Sequence, residues 1–140
     1  MTGSLRFKSD CSGINWDDVY NLLKNVGMRT KHQDILRKAF NNSFAVIFIL
    51  EGDRLIGMGR AISDGVCQAA LYDIAVVPEY QGKGLGRRIT NELCNRVSGC
   101  NIILYTGPDT VTFYQKMHFR KIPTGMVRFV DDERRGLEIA

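Results

Sequence analysis

Apolar residues recur at helical spacing in the first third of the chain and change to strand spacing near residue 44. Trp16, Val19, Tyr20, Leu23 and Val26 make one helical stripe, with Asp17 and Asp18 at the end where a helix dipole favours negative charge. Gly27 ends that stripe. Thr30 and Gln33 have the T-x-x-Q spacing of a capping box, and Ile35, Leu36, Ala39 and Phe40 form the stripe behind it, so a second helix is expected to end near Asn41. From Phe44 to Leu50 the residues are β-branched and aromatic. Glu51-Gly52-Asp53-Arg54 is turn chemistry, and Leu55 to Ile62 reads as the returning strand of a hairpin. Asp64-Gly65 marks a second hairpin, whose last strand runs to Val77, most apolar from Leu71, and ends at Pro78.

Helical period returns at Leu85, Ile89, Leu93 and Val97, and Gly99 closes that helix. Asn101 to Tyr105 reads as a short buried strand, Asp109 to Met117 as a short helix, and Phe119 to Ile122 with Met126 to Val130 as a last strand pair. The order is α α β β β α β α β β. A strand-helix-strand unit between hairpins requires parallel and antiparallel pairing in one sheet, so an α/β chain with a mixed sheet is expected.

Composition narrows the class. A length of 140 residues suits one domain over 1–140, and 44% hydrophobic content is enough for a core without disulfides or metal. The longest apolar run, Phe44 to Leu50, is too short to cross a bilayer, and no leader pattern stands at the start, so a cytoplasmic protein without a membrane partner is expected. Cys11, Cys67, Cys94 and Cys100 have no metal-ligand spacing, and His32 and His118 add none, so no metal is expected and the thiols read as bystanders.

Charge is informative by segment. The net charge is +4, but residues 82–96 set Lys83, Arg87, Arg88 and Arg96 against Glu92 alone. Residues 41–81 are acidic, with Glu51, Asp53, Asp64, Asp73 and Glu79 against Arg54 and Arg60. The basic segment contains no aromatic residue, which argues against a nucleic-acid partner.

That segment opens with Gln81-Gly82-Lys83-Gly84-Leu85-Gly86-Arg87 between a strand and a helix. Alternate glycines let successive N–H groups converge at the helix N-terminus, where unpaired donors and the dipole favour an anion. Lys83, Arg87 and Arg88 add full charges, so the turn reads as a pyrophosphate cradle. Neither G-x-x-x-x-G-K-[ST] nor G-x-G-x-x-G fits these letters. Q-x-x-G-x-G does, through Gln81, Gly84 and Gly86.

The run from Asp73-Ile74-Ala75-Val76-Val77-Pro78 through Gly86-Arg87 resembles the acetyl-CoA signature of the GNAT (GCN5-related) N-acetyltransferases. Phe113-Tyr114-Gln115-Lys116-Met117-His118-Phe119 is similar to that family's F-Y-x-K-x-G-F, with His118 where glycine is usual. Asp73-Ile74-Ala75-Val76, the Arg60 to Asp64 run and Gly125-Met126 give a looser likeness to small bacterial and plant plastid arylalkylamine-type acetyltransferases.

The resemblance implies a single-domain GNAT fold, with a mostly antiparallel sheet of six to seven strands and about four helices, and acetyl transfer from acetyl-CoA to an amine. It implies that Ile74, Ala75 and Val76 bind the pantetheine arm as an added strand, with a splay beside Val77 and Pro78, and that Gln81, Gly82, Lys83, Gly84, Leu85, Gly86 and Arg87 hold the phosphates. Tyr114 is implied as the general acid, since a phenol stays protonated at neutral pH, while Phe113 and Phe119 are expected in the core. Asp73 is the candidate base or amine anchor, or else a structural acceptor, and strand alternation tends to turn it from the face of Tyr72. Asp109 is either a pantetheine contact or a helix N-cap.

Two function classes follow: an acetyltransferase acting on a primary amine, of a small molecule or of a protein lysine or N-terminus, and a CoA-binding regulatory module without catalysis. The acidic segment 41–81 tilts the acceptor toward a small cationic amine. Homodimers are common among the proteins the chain resembles.

Overall fold

The computed structural model describes residues 3–130, and the chain divides into two compact units, Met1–Leu104 and Tyr105–Ala140. The first unit holds β1 (Leu5–Lys8), α1 (Trp16–Asn25), α2 (Gln33–Asn41), β2 (Ala45–Glu51), β3 (Arg54–Ser63), β4 (Gln68–Val76), α3 (Leu85–Arg96) and β5 (Asn101–Ile103). The sheet order is β1-β2-β3-β4-β5, antiparallel except for the parallel β4–β5 pair. The mixed sheet expected from the pattern is present.

Both early helices begin on local caps. Asn15 accepts from the Asp17 amide at 3.0 Å, which satisfies one of the donors a helix start leaves open. The expected Thr30–Gln33 capping box does not form: His32 is the cap of α2, its Nδ1 accepting from the Asp34 amide at 3.2 Å, while the Thr30 hydroxyl donates to the Lys31 carbonyl. A ring nitrogen two residues before the donor amide does the work of the expected hydroxyl.

The core has two sides. On one face of the sheet the rings of Trp16, Phe40 and Phe48 meet at 5.5–6.2 Å, joining α1, α2 and β2. On the other face α3 lies against β2, β3 and β4. It approaches closely because β3 carries glycine there: a Cβ at Gly59 would stand 2.8 Å from Ile89 Cγ2 and 3.0 Å from both Leu93 Cδ1 and Ile74 Cγ1. β2 is buried on both faces from Ala45 to Leu50, which explains its unbroken apolar run.

The strand count is five among the described residues, below the expected six to seven. β1 was not foreseen, because four residues with two exposed or half-exposed cations carry little apolar signal. The expected pair Phe119 to Ile122 and Met126 to Val130 does not form strands. Pro123 has no amide to give a ladder, and Met126 and Val130 are each 98% exposed, so no packed face fixes a register. The second unit contains instead a 3-10 turn (Pro108–Thr110) and α4 (Val111–Gln115).

Candidate functional site

β3 and β4 lose register at one place. Met58 faces Ala75 and Arg60 faces Tyr72, so one more residue is used on β4 than on β3. This is a β-bulge at Asp73 and Ile74, opposite Gly59, and Asp73 has a left-handed backbone with φ of 58°. The bulge overturns the expected alternation. Tyr72 and Asp73 both engage Arg60: its guanidinium lies 5.4 Å from the Tyr72 ring centroid, and its Nε donates to Asp73 Oδ2 at 2.7 Å. Ile74 is turned to the α3 side, within 3.0 Å of a Cβ at Gly59.

Beyond the bulge the strand has, among the described residues, no partner on the edge it shares with β5. Pairing with β5 stops at Ala70 and Ile103. On the opposite edge the Val77 amide donates to the Ile56 carbonyl at 2.8 Å, so by strand alternation Val76 and Ile74 present their backbone groups away from β3. The Val76 carbonyl there receives the Gln81 side-chain amide at 2.9 Å. Gln81 therefore fastens the turn to the end of the strand.

The turn from Pro78 to Gly84 begins with a 3-10 segment, Pro78–Tyr80, and leads into α3. Gly82 and Gly84 have φ of 77° and 85°, which other residues adopt only under strain, and a Cβ at either would meet nothing within 4 Å. Space therefore lies open over the start of α3, whose first turn has no acidic residue and no side-chain cap on its amides. Lys83 sits over the Tyr80 ring at 5.2 Å, and Arg87 is exposed. Arg88 is directed elsewhere, onto the Phe7 ring of β1 at 3.7 Å. The Tyr80 hydroxyl donates to Glu51, which raises its pKa, and Arg54 pairs with Glu79, holding that carboxyl below its ordinary range. These ties anchor the turn to the β2–β3 hairpin.

In the second unit Tyr114 lies on α4 between two rings, edge-on to Phe113 at 4.9 Å and to Phe119 at 5.8 Å. Burial raises its pKa above the ordinary phenol value. Phe113 and Phe119 are half-buried packing partners of the tyrosine rather than deep core. The helix ends in a Schellman motif: the Phe119 amide bonds the Tyr114 carbonyl at 3.2 Å and the His118 amide bonds Gln115 at 3.1 Å, with His118 left-handed at φ 72°. Histidine thus adopts the conformation for which glycine is usual. Asp109 is not the N-cap of α4. It lies inside the 3-10 turn, exposed, and Thr110 holds the cap position.

Sequence reasoning missed Arg60 as part of this region. The available signal was its position as the one charge inside Leu55 to Ile62, since a cation on an inward-facing strand needs a partner.

A bulged strand edge, unpaired past Ala70 among the described residues, thus runs into a glycine turn at the basic start of α3. The acetyltransferase (GNAT) domain profile matches residues 42–121, and the chain belongs to that family. It is 30% identical over 119 residues to an uncharacterised N-acetyltransferase of Porphyra purpurea, covering 83% of this chain and 64% of that protein. It is also 29% identical over 119 residues to the chloroplastic GCN5-related N-acetyltransferase 1 of Arabidopsis thaliana, covering 81% of this chain and 60% of that protein. This chain thus spans under two thirds of each of these relatives. Among solved structures, a probable acetyltransferase of Staphylococcus aureus superposes with a TM-score of 0.78 at 26% identity, covering 90% of this chain and 99% of that one.

Proposed function

We propose that the protein moves the acetyl group of acetyl-CoA directly onto a primary amine of a small molecule. The observation that carries this reading is the continuity of one edge: among the described residues β4 is unpaired toward β5 after Ala70, the backbone groups of Ile74 and Val76 face that edge, and Gln81 links Val76 to the glycine turn at α3. A pantetheine arm is long and amide-bearing, so it suits an open strand edge, while its pyrophosphate suits the amides from Gly82 to Arg87 beside Lys83. Lys83 in the turn and Arg87 in the first turn of α3 supply the positive charge for that group.

In the proposed reaction the neutral amine nitrogen bonds the acyl carbon, the carbon–sulfur bond breaks, the sulfur leaves as a thiol with the proton of Tyr114, and the proton shed by the nitrogen passes through water to the phenolate so formed. Tyr114 is the proposed proton donor, and its raised pKa supports a role as an acid that stays protonated through neutral pH. For Asp73, the ion pair with Arg60 supports the role of structural acceptor over that of base, because the carboxylate already accepts a charge-assisted bond. The acceptor is read as a small cation from the acidic surplus of residues 41–81. A protein lysine is the second reading, supported by a Glycine max relative named histone acetyltransferase TAP1, 35% identical over 127 residues. Four free thiols suit a reducing compartment, which is the setting we propose.

Thiol release from acetyl-CoA, measured across small amines and lysine peptides, tests the reading. Release with a small amine and not with peptides is expected. CoA binding by calorimetry with no release on any acceptor favours a regulatory module, and absence of CoA binding overturns the site.

A further inference from the structure

We propose that Arg60 is a positioning residue for the reacting thioester, acting through Asp73 to hold the bulge of β4 in its productive register. The proposal rests on the acetyl-transfer reading above and adds to it a residue that touches neither cofactor nor acceptor.

The bulge needs something to hold it. Asp73 is the extra residue and lies at φ 58°, in a region that side chains other than glycine rarely occupy. No cross-strand partner fixes it, since Arg60 is the ladder partner of Tyr72. Instead the Arg60 side chain reaches past Tyr72 and donates from Nε to Asp73 Oδ2 at 2.7 Å, with both side chains more than four-fifths buried, at 15% and 18% exposure. The guanidinium is itself confined: it lies 5.5 Å from the Phe40 ring centroid and 5.4 Å from that of Tyr72, and its Nη1 donates to the Ser43 hydroxyl at 3.4 Å. Residues from α2, the α2–β2 connection and β4 therefore fix the donor that fixes Asp73.

The consequence falls on the backbone after it. The bulge places Leu71 and Ile74 on the same side of the sheet and leaves the Ile74 and Val76 amides facing the open edge. A slip of one residue exchanges every inward and outward group on a strand. Losing the clasp would then turn the edge amides away from a thioester lying along β4. The glycine turn begins five residues after Asp73, at Pro78, and has its own ties to Val76, Glu51 and Arg54, so phosphate binding survives.

The test compares Arg60→Gln with the double variant Arg60→Gln/Asp73→Gly, in which glycine adopts the positive φ without a clasp and the unpaired carboxylate is gone. Arg60→Gln is expected to lower kcat about 10- to 100-fold while the Kd for CoA changes less than about twofold, and the double variant is expected to recover most of the kcat. A merely stabilising ion pair would move the melting temperature and leave kcat alone. Unchanged kcat in Arg60→Gln, no recovery in a folded double variant, or a double variant that does not fold overturns the proposal. A wild type that binds CoA but acetylates no amine overturns the functional reading instead. The clasp is then decided by a crystal structure of Arg60→Gln, where a retained register at Met58–Ala75 and a retained φ at Asp73 overturn it.

Discussion

The side-chain amide of Gln81 donates to the carbonyl of Val76 at 2.9 Å, closing the turn that joins the open strand edge to α3. The contact sets the distance between the two halves of the proposed CoA site, the edge that pairs the arm and the amides that meet the phosphates. Gln81→Ala leaves the Val76 carbonyl to water, which is tolerable on a half-exposed turn, so folding should be kept. The expected result is a rise of about 3- to 10-fold in KM for acetyl-CoA, from the roughly 1 kcal/mol that one such bond contributes, with a smaller change in kcat. Steady-state kinetics at saturating amine checks it.

Gly84→Val addresses the turn itself. No protein atom lies within 4 Å of a Cβ at this position, so a side chain would meet no neighbour in the free protein. Two effects remain: a β-branched residue is strained at φ 85°, and its methyls fill the space over the helix start. Calorimetry should find CoA binding lost, while circular dichroism finds the secondary structure kept. Full affinity in this variant removes the cradle from the proposed function.

Tyr114 links the chemistry to pH. Burial raises its pKa, so the neutral phenol is favoured in the folded state, and the stability this contributes is fully present below pH 10. It is lost as the pH rises through the ordinary phenol value and on through the raised one, because the unfolded chain ionises first. Tyr114→Phe should remove this alkaline loss of stability in denaturant titrations. In turnover the same variant should lose about 100-fold in kcat with CoA affinity kept.

How much of this was legible beforehand depended on the range of the interaction. The α3 stripe of Leu85, Ile89 and Leu93, the two hairpins and the glycine turn each lie within one window of sequence, and each stands where its pattern places it. The bulge was not legible, because Tyr72, Asp73 and Ile74 look like ordinary alternation, and the residue that breaks it answers to Arg60, thirteen positions earlier. The His32 cap was hidden by a better-looking T-x-x-Q string. The absent strand pair after Phe119 had β-forming residues but, among the described residues, no face to bury them, and propensity without burial does not make a strand.

Gly59 lies opposite the bulge, and it is fixed by what stands against it. A methyl group there would meet Ile89 Cγ2 at 2.8 Å, with Leu93 Cδ1 and Ile74 Cγ1 at 3.0 Å, and Ile89 and Leu93 are fully buried. Gly59→Ala should therefore destabilise by about 1–3 kcal/mol, as overpacked cores do, against the small gain that alanine normally gives a strand over glycine. Urea denaturation measures the sign. A stabilised variant would mean that α3 can lift from β3 at little cost.

His118 offers the opposite case, a left-handed position without glycine. Its φ of 72° completes the Schellman motif that turns the chain from Tyr114 to Phe119, and its side chain is exposed, so little packing is lost by removing it. His118→Gly relieves the Cβ strain at C′ and should stabilise by about 0.5–1 kcal/mol, less the added freedom of glycine in the unfolded chain. His118→Val, which is β-branched, should destabilise by more than that. The pair separates backbone from side-chain effects, because an imidazole that mattered for its own contacts would make both variants less stable. Thermal melts of the two variants decide between these outcomes, and a glycine variant that melts below the wild type would assign His118 a role beyond the turn.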